Sequence, residues 1–350
     1  MNKWPKIFGA AVAAFGLLGW NGNAAEAVKI RAGYLPSAEQ VLYFIAKEKN
    51  FFQQNGTDVE LFRFTNSAEG LAAVKAGKLD VGFFGTAAPL AFIAKGADFT
   101  IFGGGGGEGA ALVTKPENAD RFKDLKNLKG ATIGVVRLAT GDIVFRAALH
   151  ESGVDWRKDV TFKEFDSPAV VLEALKKGSL DAGILWIPFY TLAEKQGLKI
   201  VKYSGELLKG HTCCRQTALS SEVKVNPEKF EKFLLGLLDA YRFYLNDRDE
   251  TVNIVAKYIP IDKDVIREDL YGGHLQVSPD PFKKSVVQFW GFMKDANYIK
   301  SDENIDARIN TGIYAEALAK LIKRDPQEEL WRSLEKEFRN GEPELHIKTN

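Results

Sequence analysis

A chain of 350 residues, 45% hydrophobic and 27% charged, is long enough for two globular domains and excludes a mainly disordered protein. Its 47 lysines and arginines against 46 acidic residues give a net charge of +1, without the basic excess that tracks a phosphate backbone, so nucleic acid is excluded as a partner. The two cysteines, Cys213 and Cys214, are adjacent, which excludes a multi-bridge disulfide scaffold and the spaced thiolates of a structural zinc site.

Residues 1–27 read as a secretory signal peptide. Lys3 and Lys6 precede an apolar run from Ile7 to Trp20, and the small-residue triplet Ala25-Glu26-Ala27 follows. Gly9, Gly16 and Gly19 break the run, which is shorter than the roughly 20 apolar residues of a spanning helix. No cysteine beside the cleavage site offers a lipid anchor, and no later segment reaches spanning length. A free, neutral periplasmic protein is the expected product.

From Val28 onward, short β-branched or aromatic runs alternate with helical patterns. Val28–Leu35, Asp58–Phe64 and Val81–Gly85 are predicted strands, with helices over Glu39–Phe52 and Ser67–Ala76 between them. Gly96 and the run Gly103–Gly107 punctuate this block, and Ala110–Thr114 reads as a further strand. A second block takes strand Ala131–Val136, helix Ile143–His150, strand Val160–Phe165, helix Val170–Lys177 and strand Ala182–Trp186. Such alternation predicts mostly parallel sheets with crossover helices.

The two blocks read as copies. The stretch Leu71 to Gly82 lies over Leu172 to Gly183 without a gap, each a helix, a glycine C-cap, a Leu-Asp turn and a buried strand. After Ser221 the pattern turns helical. Asn226 caps a helix with Pro227 at its first position, and Phe230, Phe233, Leu234, Leu237, Leu238 and Tyr241 form one apolar stripe. Asp280-Pro281 and Asp325-Pro326 are expected to start further helices, and a loose polar tail is expected after Arg339.

Several phrases resemble one family of solute-binding proteins. They are Gly33-Tyr34-Leu35-Pro36, the helix phrase Tyr43 to Phe52, Gly85-Thr86, Ala139-Thr140-Gly141-Asp142, Leu185-Trp186-Ile187-Pro188 and Gly210-His211-Thr212-Cys213-Cys214. In this order they are similar to the nitrate/sulfonate/taurine-type periplasmic proteins of ABC importers, whose relatives include binders of a thiamine-pyrimidine precursor. The resemblance covers nearly all of residues 28–300. It implies a type II periplasmic-binding-protein fold, two α/β lobes joined by two crossing strands, with a small-molecule ligand between them and an inner-membrane permease and ATPase as partners. On that plan residues 28–112 and 217–310 form lobe one, 113–216 lobe two, and 311–350 the C-terminal helices and tail. The crossings are expected at Ala110–Thr114 and Arg215–Ser220, and the protein is expected to be a monomer without a cofactor.

Ligands of open α/β sheets sit beyond the carboxyl ends of the strands, where helix N-termini offer unpaired N–H groups. Four loops fit: Pro36-Ser37, Gly85-Thr86, Thr140-Gly141-Asp142, and the stretch after Trp186. Hydroxyls at Ser37, Thr86 and Thr140 either add donors to an anion or act as ordinary N-caps. Trp186 is placed to wall an organic ligand. Glu108 and Asp142 point to a ligand with a positive or donor-rich portion, unless Asp142 only caps its helix. Gln40 either bonds the ligand or faces solvent, and His211, with Arg215, either meets an anion or serves a hinge. Taken together these residues predict a small organic anion, sulfonate- or taurine-like ahead of nitrate.

Two motifs are set aside. Gly104 to Gly109 satisfies G-x-G-x-x-G, but a strand follows it in place of the helix that a dinucleotide site needs, so a flexible glycine loop entering the crossing is expected. Cys213-Cys214 is either a strained vicinal disulfide or two buried thiols. Superfamily enzymes remain the alternative, a thiamine-pyrimidine synthase or a desulfinase-like hydrolase. The first carries a longer cysteine-rich motif, and the second a nucleophilic cysteine that the Tyr34–Gln40 loop lacks. A ligand-sensing input for a signalling partner is the remaining alternative.

Overall fold

The computed structural model describes residues 26–341 and 345–348. The expected signal peptide lies outside them except for Glu26 and Ala27. Eleven strands are described: β1 (Val28–Tyr34), β2 (Thr57–Arg63), β3 (Val81–Gly85), β4 (Phe99–Glu108), β5 (Ala110–Thr114), β6 (Thr132–Val136), β7 (Thr161–Phe165), β8 (Ala182–Trp186), β9 (Lys199–Tyr203), β10 (Thr212–Leu219) and β11 (Leu275–Ser278). They form two sheets, one of six strands in the order β11-β4-β10-β3-β1-β2 and one of five in the order β7-β6-β8-β5-β9. β1, β2 and β3 run parallel, as do β6, β7 and β8, while β10 and β5 pair antiparallel to β3 and β8.

The internal copy is geometric as well as textual. Ala32 and Gly33 face Val81 and Gly82 across β1 and β3, and Ile133 and Gly134 face Ala182 and Gly183 across β6 and β8. The Leu-Asp turns make the same bonds, Arg31 N–H to Asp80 Oδ2 at 2.8 Å and Thr132 N–H to Asp181 Oδ2 at 2.7 Å. Both helices before them end on a left-handed glycine, Gly77 at φ 68° and Gly178 at φ 78°. A Cβ at Gly33 would meet Leu79 at 2.6 Å and one at Gly134 would meet Leu180 at 2.4 Å, so each lobe needs glycine where the turn leucine folds over its first strand.

The glycine run is not a loop. Gly103–Gly107 lies inside β4, buried between the edge strand β11 and β10 of the larger sheet. Its glycines admit close neighbours: a Cβ on Gly105 would fall 2.0 Å from the Phe83 ring, and one on Gly104 would fall 1.9 Å from the Asp280 carbonyl. The crossings also lie elsewhere than expected. Ala110–Thr114 is wholly within the smaller sheet and Thr212–Leu219 wholly within the larger one. The chain changes sheet at Glu108-Gly109, both with positive φ (60° and 78°), and returns through residues 204–211.

The long helix Pro227–Asn246 buries Phe230, Phe233, Leu234, Leu237 and Leu238 against the larger sheet and the early helices, as its stripe dictates, while Tyr241 is partly buried. The helices expected at Asp280-Pro281 and Asp325-Pro326 begin a few residues later, at Lys283–Asp295 and Glu329–Asn340. The tail is not loose where it is described: Leu345 is buried, Ile347 bridges Leu208, and Lys348 N–H donates to the Leu207 carbonyl at 2.7 Å. The chain end is thus strapped to the return crossing.

Candidate functional site

The carboxyl ends of β1, β3, β6 and β8 converge on one cavity between the lobes. Leu35, Glu39, Ser67, Gly85 and Cys213 line it from the larger-sheet side, and Ala110, Ala139, Thr140, Gly141, Ile184, Leu185 and Trp186 from the other. It is tight, with about 20 Å³ of free space. A larger groove of about 830 Å³ lies among the C-terminal helices, lined by Phe282, Lys283, Leu334 and Phe338, and takes no residue from the carboxyl ends of β1, β3, β6 or β8.

Hydrogen bonds join the walls. Thr140 Oγ1 donates to the Cys213 carbonyl at 2.9 Å and accepts from Ala87 N–H at 3.4 Å, and Ser37 Oγ donates to the Ile187 carbonyl at 3.0 Å. Asn66 Nδ2 reaches the Asp166 carbonyl at 3.3 Å. The Ile187-Pro188 bond, just past Trp186, is cis.

Of the residues singled out from sequence, Gly85, Thr140, Gly141 and Trp186 line the cavity. Four others stand near it. Pro36 is half-buried in the loop after β1; Ser37 caps the short helix Ala38–Gln40; Gln40 and Thr86 are fully buried. Neither amide atom of Gln40, nor Thr86 Oγ1, nor Trp186 Nε1 has a partner among the described residues. Buried polar atoms are normally bonded, so this cluster has capacity for a polar guest.

Four residues considered from the sequence do not line the cavity. Asp142 points away from the cavity into a buried ion pair with Arg146 at 2.7 Å, which itself lies against Trp156 and Phe162. Its position, two residues into a helix that faces the cavity with its first turn, rotates its side chain to the back. Glu108 sits at the outgoing crossing, where it accepts from Gly210 N–H at 2.8 Å and Gln276 at 3.4 Å. His211 is fully buried beside Phe289, 3.2 Å from the Thr212 carbonyl, and burial pulls its pKa down to about 4. Arg215 is buried behind the cavity, its Nη1 donating to the carbonyls of Gly106 at 2.8 Å and Cys214 at 2.6 Å.

Glu39 is the residue that sequence reasoning missed. The helix expected over Glu39–Phe52 makes it a first-turn acid; it lies inside the short helix Ala38–Gln40, and its place between the candidates Ser37 and Gln40 is the signal that marks it. The residue is 3% exposed; Oε2 accepts from the Cys214 thiol at 3.3 Å, and Oε1 has no partner among the described residues. Desolvation raises its pKa to about 7, while the two thiols and Arg215 pull it down. Cys213 and Cys214 are free thiols with their sulfurs 3.7 Å apart, so the pair is not a disulfide. Among the described residues, Glu39, Cys213 and Cys214 are the one group close enough to share a metal ion, within 4.8 Å. The deprotonation that thiolate ligation requires is opposed: its hydrogen bond with Cys214, then burial, raise Cys213 well above its ordinary value, and at Cys214 the lowering hydrogen bond with Cys213 is outweighed by burial and the Glu39 charge, which leave it at about 11. The trio is a hydrogen-bonded group that holds Glu39 in place.

A two-lobed fold with a cavity at the strand ends of both lobes is the architecture against which known proteins can be compared. Residues 23–260 match the NMT1-like family. The chain belongs to the NMT1-like family. Among its relatives is a binding protein of Brucella abortus, 25% identical over 263 residues, covering 74% of this chain and 80% of the relative. The taurine-binding periplasmic protein of Escherichia coli is 22% identical over 299 residues, covering 80% and 90%. A 4-amino-5-hydroxymethyl-2-methylpyrimidine phosphate synthase of Saccharomyces cerevisiae is 25% identical over 233 residues, covering 61% and 65%. The fold is that of the periplasmic binding proteins. The periplasmic nitrate-binding protein of Synechocystis PCC 6803 superposes with a TM-score of 0.74 at 16% identity, covering 85% of this chain and 89% of that one. None of the described helices of this NMT1-like chain is long and apolar enough to cross a membrane.

Proposed function

We propose that the chain is exported by a cleaved signal peptide and serves as the monomeric periplasmic component of an ABC importer, capturing a small organic solute and presenting it to a permease and ATPase. The observation that carries this reading is the interlobe cavity, built by the strand ends of both sheets and bordered by buried polar atoms without partners. Its free space of about 20 Å³ hardly exceeds the ~10–15 Å³ that one water needs, so an organic solute enters only if the lobes separate. Glu108-Gly109 and residues 204–211, the two backbone crossings, are the hinge for that motion, as in periplasmic binding proteins generally.

The solute class supported best is sulfonate- or taurine-like, ahead of nitrate. The first-turn amides of helix Thr140–Glu151 suit an oxyanion, and Trp186 offers an organic body a wall that nitrate would leave unused. Transport in preference to catalysis is supported by the state of the nucleophiles, since the bond between the two thiols and their burial raise Cys213, burial and the Glu39 charge raise Cys214, and His211 stands outside the cavity.

Calorimetry on the mature chain with taurine, ethanesulfonate, nitrate and bicarbonate tests the solute, and small-angle scattering with the solute that binds tests the hinge. At least one sulfonate should bind, the bound form should be more compact, and Trp186→Ala should weaken sulfonates more than nitrate. Tight binding of nitrate alone would sink the organic assignment. Identical scattering curves with and without bound sulfonate would sink the hinge.

A further inference from the structure

We infer that the solute carries a cationic or N–H-rich nitrogen group and that Glu39 is the side chain that reads it. This rests on the reading of the interlobe cavity as the solute site and sharpens it: the site selects for a nitrogen cation, not for negative charge alone.

Charge at the cavity is the first reason. Apart from the protonated thiol of Cys213, Glu39 is the one ionisable residue among those that line it, and no lysine, arginine or histidine does. Arg215 bonds two backbone carbonyls behind the wall and lies over the Phe282 ring. A solute with an anionic end and nothing else would meet an acid without a cation to answer it.

The carboxyl's own bonding is the second reason. The carboxyl is answered only by thiols, which are weak donors: Cys213 and Cys214 both pull its pKa down, Cys214 donates to Oε2 at 3.3 Å, and Oε1 has no partner among the described residues. A buried carboxylate in that condition is costly, and an ammonium or amidine-like donor relieves it through a charge-assisted hydrogen bond. The surrounding backbone is shaped for the acid: a Cβ at Gly109 would stand 2.9 Å from Oε1 and one at Gly106 would stand 3.3 Å away, so glycines on β4 and at the crossing let the carboxyl seat against the hinge. Trp186 Nε1, an unanswered donor on the opposite wall, asks for an acceptor on the same solute. One molecule with a nitrogen donor and an oxygen acceptor, such as an aminoalkanesulfonate, satisfies both.

The sign of the pH dependence follows. With its carboxyl at about 7 in the closed cavity, Glu39 is mostly protonated at pH 6 and mostly ionised at pH 8. Only the ionised form pairs with an ammonium, so affinity for an amine-bearing solute rises with pH, whereas a bare anion binds more weakly as the same group ionises. The groups facing Glu39 keep their charge over this range: Cys214 is held near 11, Cys213 and Tyr190 higher still, and Arg215 stays cationic. Asp269, at another interlobe contact, bonded to Thr191 at 2.5 Å, is also held near 7. The variant Asp269→Asn removes its contribution and is the background for the measurement.

The test is calorimetry at pH 6 and pH 8 with matched pairs, taurine against ethanesulfonate and benzamidine against benzamide. The aminated member of a pair should bind at least about tenfold more tightly at pH 8, by roughly the strength of a charged hydrogen bond. Its affinity should fall roughly tenfold at pH 6, and Glu39→Gln should remove both the preference and the pH slope. The pH slope needs no substitution at Glu39, so it decides the matter even where Glu39→Gln folds poorly. Equal binding of ethanesulfonate and taurine, or a slope of the opposite sign, overturns the role of Glu39 and leaves the importer reading standing. Failure of every member to bind overturns both.

Discussion

Asp142→Asn separates a structural acid from a ligand-binding one. Asp142 and Arg146 are buried to 0% and 4% exposure, 2.7 Å apart, with the Arg146 guanidinium 3.8 Å from the Phe162 ring centre and 4.4 Å from that of Trp156. Desolvation raises the Asp142 pKa and Arg146 pulls it back. Asparagine keeps the size and removes the charge, leaving a guanidinium enclosed by aromatic rings without its counter-ion. Breaking a buried pair in this way costs about 3–5 kcal/mol. With an unfolding entropy of about 2.1 cal/mol/K per residue over about 320 residues, that loss lowers Tm by roughly 4–7 °C. Scanning calorimetry with urea titration at pH 7 measures it. Replacing both partners together, Asp142→Leu with Arg146→Met, should recover most of the loss because no charge is left stranded. Solute affinity should change less than about twofold, within the scatter expected of a site that the carboxyl does not face. An unchanged Tm accompanied by a large loss of affinity for taurine would refute the reasoning, since it would mean that the carboxyl turns toward the cavity.

Stability should rise as pH falls from 8 to 6. Glu39 and Asp269 are raised to about 7 in the folded chain, so each contributes stability that is complete below its unfolded value and lost as pH rises through 7, about 1 kcal/mol apiece over this interval. His211, lowered to about 4, has the opposite sign and begins to remove stability below its ordinary value near 6.5. Urea midpoints for the double variant Glu39→Gln with Asp269→Asn should lose the acid-side gain; a gain that persists refutes the assignment. Gly105→Ala should cost about 1–3 kcal/mol, because its methyl would fall 2.0 Å from the buried Phe83 ring, and a neutral result would show that the ring yields freely. Truncation after Gly341 should cost about 2 kcal/mol through the loss of the buried Leu345, and should speed amide exchange around Leu208, which Ile347 bridges. Unchanged exchange there would mean that the tail does not secure the return crossing.

The sequence by itself determined what depends on near neighbours along the chain. The alternation of apolar runs, the glycine after each helix and the repeated Leu-Asp turn dictate the two parallel units, because a helix cap and a strand pleat are satisfied within a few residues. Loop chemistry of the same short range brought Thr140, Gly141, Gly85 and Trp186 forward, and all four line the cavity. What depended on residues far apart was decided only in three dimensions. Gly103–Gly107 reads as a loop until β10, β11 and the Phe83 ring stand against it, where small residues are needed because the neighbours come too close for a side chain. Asp142 is drawn to the back of its helix by an arginine one turn on and by rings that arrive from Trp156 and Phe162. Glu39 looks like any helix-initiating acid in the sequence. Its partner Cys214 stands 175 residues away in sequence, and the folded chain buries the two together, where removal from water gives the carboxyl a pKa near neutrality that the linear sequence does not encode.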